Sequence, residues 1–246
     1  MQPLKIFPLI VLAVLAARGQ VGVPHKPGRP FDPKDYPSGK FRISKKDYPF
    51  GNITVRVINV KNLGYTMPPE QCRAWVEISQ DGHLAKRFYY DDINPVGFSF
   101  GAFVPRNQPE NYFAVVKEGD YDGRLLLIDH NGGVVDLPGG FYFLTADKKY
   151  LVSQYASEAP GLTVYDLANH EIVLEQKNLP QIGAWFRDQE GYFFMEYERP
   201  GHAQRLDLKN RQLLKTRVPA NDREAATKVD FDFDTRKKQD CLSTPQ

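Results

Sequence analysis

Asp120-Tyr121-Asp122-Gly123 sets two carboxylates two residues apart ahead of a turn-forming glycine, which is how a calcium loop begins. A complete loop adds further oxygen ligands and a distal glutamate, whereas here Arg124 and an apolar run follow. The histidines His25, His83, His130, His170 and His202 include no pair at a ligand spacing such as H-x-x-x-H. There is no G-x-S-x-G elbow, P-loop or dinucleotide fingerprint, and the doublets Gly132-Gly133 and Gly139-Gly140 read as turns. No residue is therefore assigned a catalytic, metal-binding or cofactor-binding role, and no cofactor is expected.

Two other sets of residues could contact a ligand. Asp129, Asp166 and Asp207 each end an apolar run and are followed within a few residues by Asn131, Asn169 and Asn210. An Asp at that place accepts backbone hydrogen bonds in a turn, so a structural role is expected of all three. The aromatic clusters Phe88-Tyr89-Tyr90, Phe141-Tyr142-Phe143 and Tyr192-Phe193-Phe194 must send rings to both sides of a strand. Most should fill a core, and Tyr89, Tyr90, Tyr142 and Tyr192 are the candidates for an aromatic ligand face.

These residues recur at a common interval. Asp129, Asp166 and Asp207 are spaced by about forty residues, and so are Phe103, Phe143 and Trp185, each of which precedes a polar turn and a strand opened by Tyr112, Tyr150 or Tyr192. Such an interval, with short strands and turn residues between, is that of stacked four-stranded antiparallel sheets, none of which buries both faces alone. The stretch from Thr145 to Val173, TADKKYLVSQYASEAPGLTVYDLANHEIV, resembles the β-propeller repeats of the YVTN and WD40-like type. The Trp-Asp dipeptide of true WD40 blades is replaced by Ile128-Asp129, Tyr165-Asp166 and Leu206-Asp207. The resemblance implies a fold and a habit of binding, not a reaction. The expected fold is all-β, a propeller-like stack of about four short antiparallel sheets. It could be a small closed ring, an open stack with capped ends, or a partial ring completed by a second subunit. The strands 51–60 and 229–234 are expected to supply a fourth or fifth unit.

The ends of the chain bear on compartment. Met1 to Lys5 is a short positive stretch, Ile6 to Ala17 is uncharged and apolar, and Ala17 and Gly19 offer a cleavage site before Gln20, so residues 1–19 read as a signal peptide. The apolar run falls short of the ~20 residues that span a bilayer. An extracytoplasmic location, periplasmic or secreted, is expected, with no membrane span after cleavage. Residues 20–49 are rich in Pro and charge and read as a linker, in which Lys34-Asp35-Tyr36-Pro37 recurs as Lys46-Asp47-Tyr48-Pro49. The folded domain is expected over 50–234, with a polar tail over 235–246. Asn52-Ile53-Thr54 is a glycosylation sequon. Cys72 and Cys241, the two cysteines, are expected to form one disulfide in an oxidising compartment.

With 32 Lys plus Arg against 30 Asp plus Glu, spread along the chain, no nucleic-acid partner is expected. The leading expectation is a non-catalytic exported binding or scaffold module, offering a loop rim and an aromatic face to a protein, peptide or glycan. The alternatives are a glycan-active enzyme using paired loop carboxylates, and a subunit of a larger envelope complex, with homo-oligomers if the ring is incomplete.

Overall fold

Period-two runs of β-branched and aromatic residues, broken by Gly, Asn and Asp, favour strands joined by short turns. The computed structural model describes residues 29–64, 72–90, 99–119, 123–155, 159–218 and 220–231, whose regular structure is almost all strand. Sheet one holds β1 (Phe41–Phe50), β2 (Ile53–Asn62), β3 (Cys72–Gln80) and β4 (His83–Tyr90). Sheet two holds β5 (Ser99–Phe103), β6 (Tyr112–Gly119), β7 (Arg124–Asp129) and β8 (Val134–Pro138). Sheet three holds β9 (Phe141–Leu144), β10 (Tyr150–Tyr155), β11 (Gly161–Asp166) and β12 (Glu171–Gln176). Sheet four holds β13 (Ile182–Asp188), β14 (Gly191–Glu196), β15 (His202–Asp207) and β16 (Gln212–Arg217). A short helix α1 (Ala220–Ala225) then leads to β17 (Thr227–Val229), which pairs antiparallel with β13 as a fifth strand. Each sheet is a meander of antiparallel neighbours, as expected for a propeller-like stack.

Packing between sheets follows the alternation of side chains along each strand. Val55, Val57, Val76 and Ile78 of sheet one meet Phe113, Val115, Leu126 and Ile128 of sheet two. From the opposite face of sheet two, Ala114, Val116, Leu125 and Leu127 meet Tyr142, Leu151 and Tyr165 of sheet three. Phe143, Val152, Leu162 and Val164 then meet Trp185, Tyr192 and Phe194 of sheet four. The order of stacking is the order of the chain. The stack is not closed into a ring.

Both outer faces are covered by segments of the same chain. On sheet one, Ile58, Val60 and Trp75 pack under Phe31, Tyr36 and Phe41, and the Trp75 Nε1–H donates to the Arg29 carbonyl at 2.8 Å. On sheet four, Phe193, Met195 and Ala203 pack with Val218 and Ala226, which flank α1. The remainder of the outer face of sheet one is a charged row. Asp47, Arg56, Glu77 and Arg87 stand opposite one another on β1 to β4. Arg56 donates twice to Asp47, at 2.6 and 2.8 Å, and Arg87 Nε donates to Glu77 at 2.8 Å. Alternating signs directly opposite across a sheet are the favourable arrangement of cross-strand charges.

Three boundaries differ from those expected. The linker over 20–49 is corrected, because residues 41–50 form β1 and Tyr36 is buried. Its prolines are compatible with this: Pro49 lies on an edge strand, where a missing N–H breaks no necessary ladder bond. The two copies of the Lys-Asp-Tyr-Pro sequence place Tyr36 and Tyr48 on opposite faces of sheet one, Tyr48 beside Phe113. The strand expected from Gly51 starts at Ile53, since Gly51, at φ +57°, forms a hairpin turn with Asn52. A Cβ on Gly51 would lie 2.6 Å from the His130 ring. The strand expected over 229–234 ends at Val229, and residues 232–234 lie outside the described residues.

Tyr36, 4% exposed and packed edge-on against Trp75 and Phe41, is the wedge of the lead-in. Tyr36→Ala is expected to destabilise the fold by about 3 kcal/mol, as for other large aromatic truncations, read as a lower urea midpoint. An unchanged midpoint would make the lead-in a mere tether.

Candidate binding face

Because every sheet is an antiparallel meander, its connections fall at two rims. One rim carries 51–52, 81–82, 104–111, 130–133, 145–149, 167–170, 189–190 and 208–211, here called the turn rim. The other, here called the loop rim, carries the described residues 63–64, 123, 139–140, 159–160, 177–181 and 197–201.

At the turn rim the recurrent aspartates build turns. Asp129 Oδ1 accepts from the Asn131 and Gly133 N–H groups, both at 2.8 Å. Asp166 accepts from the Ala168 and Asn169 N–H groups and from Asn169 Nδ2, each at 2.9 Å. Asp207 repeats this with Asn210, N–H at 3.1 Å and Nδ2 at 2.7 Å. The carboxyl of Asp166 lies below its ordinary range: burial pushes it up, and the Asn169 and Ala168 bonds outweigh burial. Asp207 is lowered by its Asn210 bonds, Asp188 by Arg205, and Asp147 by the Thr145 hydroxyl.

The same rim ties each sheet to the one before it. The His130 ring stacks on Phe50 with centroids 4.1 Å apart, and Lys86 Nζ donates to the Gly132 carbonyl at 2.8 Å. His170 Nδ1 shares a hydrogen bond with the Tyr112 hydroxyl, which lies 3.3 Å from that of Tyr165. Burial, and then the Tyr112 hydroxyl, push the Tyr165 phenol far up. In the next hairpin Arg211 reaches back to Glu171 at 2.8 Å, and the Ala146 N–H donates to the Tyr192 hydroxyl at 2.7 Å. His130 and His170 are thus inter-sheet wedges. His83 is exposed and His202 half-buried at strand starts.

The expected aromatic face is corrected. Tyr90, Tyr142 and Tyr192 are 5%, 0% and 9% exposed and fill the gaps between sheets. Tyr89, half-buried, stacks on Trp75 at 4.7 Å. In a stack, both faces of an inner sheet are dry, so strand aromatics pack on either side. Cys72 is buried at the start of β3, while Cys241, His25, Asp120 and Asp122 lie outside the described residues.

The loop rim has a different character. At its junction between sheets one and two, Lys117 is 2% exposed, with Nζ 5.3 Å from the Tyr90 ring centroid. Arg124 Nε donates to Asp136 Oδ1 beside it at 2.7 Å. The Tyr90 phenol is raised well above its ordinary value by burial first and by Asp136 second, Arg124 opposing. Asn59 spans the same junction, giving Nδ2–H to the Ala102 carbonyl at 2.9 Å and accepting the Ala102 N–H at 2.8 Å. Desolvated charges gathered at one place are common at functional sites. Farther along, the hairpin 197–201 lifts Tyr197 to 71% exposure, and Leu63 is 38% exposed. Tyr197 lies within Glu196-Tyr-Glu-Arg-Pro-Gly, where only the placing of an aromatic among turn residues could have marked it.

No family model matches the chain, and no curated protein is similar to it in sequence. Among solved structures it is similar to a structural genomics protein of unknown function from Bacteroides thetaiotaomicron VPI-5482. The identity is 12%, the TM-score 0.29, and the match covers 75% of this chain and 64% of the length of that protein.

Aspartates held below their unfolded pKa contribute stability that is present above that unfolded value and is lost as pH falls through the folded one. Asp147, Asp166, Asp188 and Asp207 are all of this kind. The urea midpoint is therefore expected to hold between about pH 7 and 5 and to drop below about pH 4. A drop already complete by pH 5 would show that these carboxylates do not carry the acid sensitivity.

Proposed function

We propose that this chain is an exported, non-catalytic binding module that presents its loop rim to a protein, peptide or glycan. The YVTN and WD40-like resemblance of residues 145–173 agrees with that reading, since it implies a habit of binding. The supporting observation is the division of labour between the two rims. At the turn rim, Asp129, Asp166, Asp207, His130, His170 and Arg211 are occupied in turns and inter-sheet ties. At the loop rim, Tyr197 stands 71% exposed, a large amphipathic ring of the kind that anchors interfaces.

The enzyme reading has less behind it. It requires two free carboxylates facing a common space, whereas Asp136 is tied to Arg124, and Glu196 accepts from Gln204 at 3.0 Å through Oε1 with its Oε2 3.9 Å from Arg199. The reading as a docking subunit draws on an open apolar end, and the apolar parts of both end faces are covered by the chain itself.

Arrays of glycans and peptides should yield ligands whose affinity drops at least ~10-fold in Tyr197→Ala and Leu63→Asp, as for interface anchors. The same ligands should bind equally to Gln189→Ala and Lys209→Ala at the turn rim. The opposite pattern would move the site to that rim, and turnover of a bound glycan would replace binding by catalysis.

A further inference from the structure

Among the described residues, β1 is an edge strand, with β2 as its partner within sheet one. Arg42, Ile43, Lys45, Lys46, Asp47 and Pro49 along it are exposed. Among the described residues, Lys40, Arg42, Lys45 and Lys46 enter no ion pair. The acid of this strand, Asp47, is already held by two bonds from Arg56. A ten-residue edge thus combines backbone groups facing away from β2 with a surplus of positive charge.

From these features we propose that β1 accepts an extended acidic polypeptide segment of a partner protein as an additional strand of sheet one. Alternation sets what the segment must carry. On the side facing sheet two, the edge presents Arg42, Ser44 and Lys46; on the outer side it presents Ile43 and Lys45. A strand laid beside it would put Asp or Glu opposite Arg42 and Lys46 and apolar residues beside Ile43 and the Lys45 stem, an alternation of acidic and apolar residues. Cross-strand pairs of opposite charge are favourable, and main-chain bonds along the edge supply affinity that is independent of side chains. Pro49 has no N–H and marks where the ladder must stop. Sheet four already gains a strand at its edge in this way, where β17 pairs with β13.

Lysines on an edge strand can instead be guards against unwanted pairing, and a loose anion site would need charge alone. Three probes separate these cases by fluorescence anisotropy on the full chain. The first is a labelled ten-residue peptide alternating Glu and Val. The second is the same peptide N-methylated at every other residue, so that it cannot form a ladder. The third is inorganic polyphosphate as a competitor. The expected result is saturable binding of the first peptide, weakened at least ~10-fold in Lys45→Glu/Lys46→Glu and in raised salt, with N-methylation costing at least ~10-fold. Equal binding of the N-methylated peptide, or displacement by polyphosphate at matched charge, would reduce the edge to a charged patch and overturn the proposal. Absence of binding would overturn it too, and self-association of Lys45→Thr/Lys46→Thr on a sizing column would then assign the lysines to edge protection.

Discussion

Leu125, Leu126, Leu127 and Ile128 are successive residues of β7, and none has any exposed surface. Alternate side chains of a strand point to opposite faces, so four dry residues in a row require a neighbour on each side of the sheet. Sheet one takes Leu126 and Ile128, and sheet three takes Leu125 and Leu127. A four-stranded meander of this composition would leave both apolar faces wet if it stood alone, at a cost of about 25 cal/mol for each Å². Face-to-face stacking is therefore the condition under which any of the four sheets exists, and the sequence order of the sheets makes it a chain of nearest-neighbour contacts.

A linear stack has two terminal faces, and an open one must be dealt with at each end. The two solutions differ. Sheet four is closed off by the chain that leaves it, through Val218 and Ala226 about α1, with β17 folded back onto β13. Sheet one is closed off by the chain that enters it, and only in part. Phe31, Tyr36 and Phe41 shield the half around Trp75, while the other half is paved by Asp47, Arg56, Glu77 and Arg87, which need no cover. A face built half of rings and half of paired charges accounts for how a short lead-in can finish the stack.

What could be read from residues alone follows from the same physics. Phe103, Phe143 and Trp185, with Tyr112, Tyr150 and Tyr192, fall in the first hairpins of sheets two, three and four, because each aromatic is both core and neighbour to a turn. Asp166 and Asp207 were legible as turn builders, since an Asx turn is local and its partners lie within three residues. β1 was not legible: lysines and Pro49 suit an edge strand as well as a linker, and edge status depends on pairing partners far along the chain. The rings of Tyr90, Tyr142 and Tyr192 were misplaced for a related reason. Alternation tells which residues share a face, but only the stacking order tells whether that face meets water or another sheet.

The two rims answer to different constraints. At the turn rim, register and inter-sheet spacing depend on side chains whose partners lie one sheet away, such as His130 on Phe50 and Arg211 on Glu171. Changing one of them disturbs a turn and a stacking contact together. The hairpin 197–201 carries a lighter burden: its backbone is anchored by the Tyr197 N–H on the Gln181 carbonyl at 2.8 Å, and the Tyr197 ring is left to solvent. Residues there can vary in chemistry without reaching the core. The turn rim thus carries side chains that build turns and tie sheets together, whereas the hairpin 197–201 carries a ring that the packing does not use.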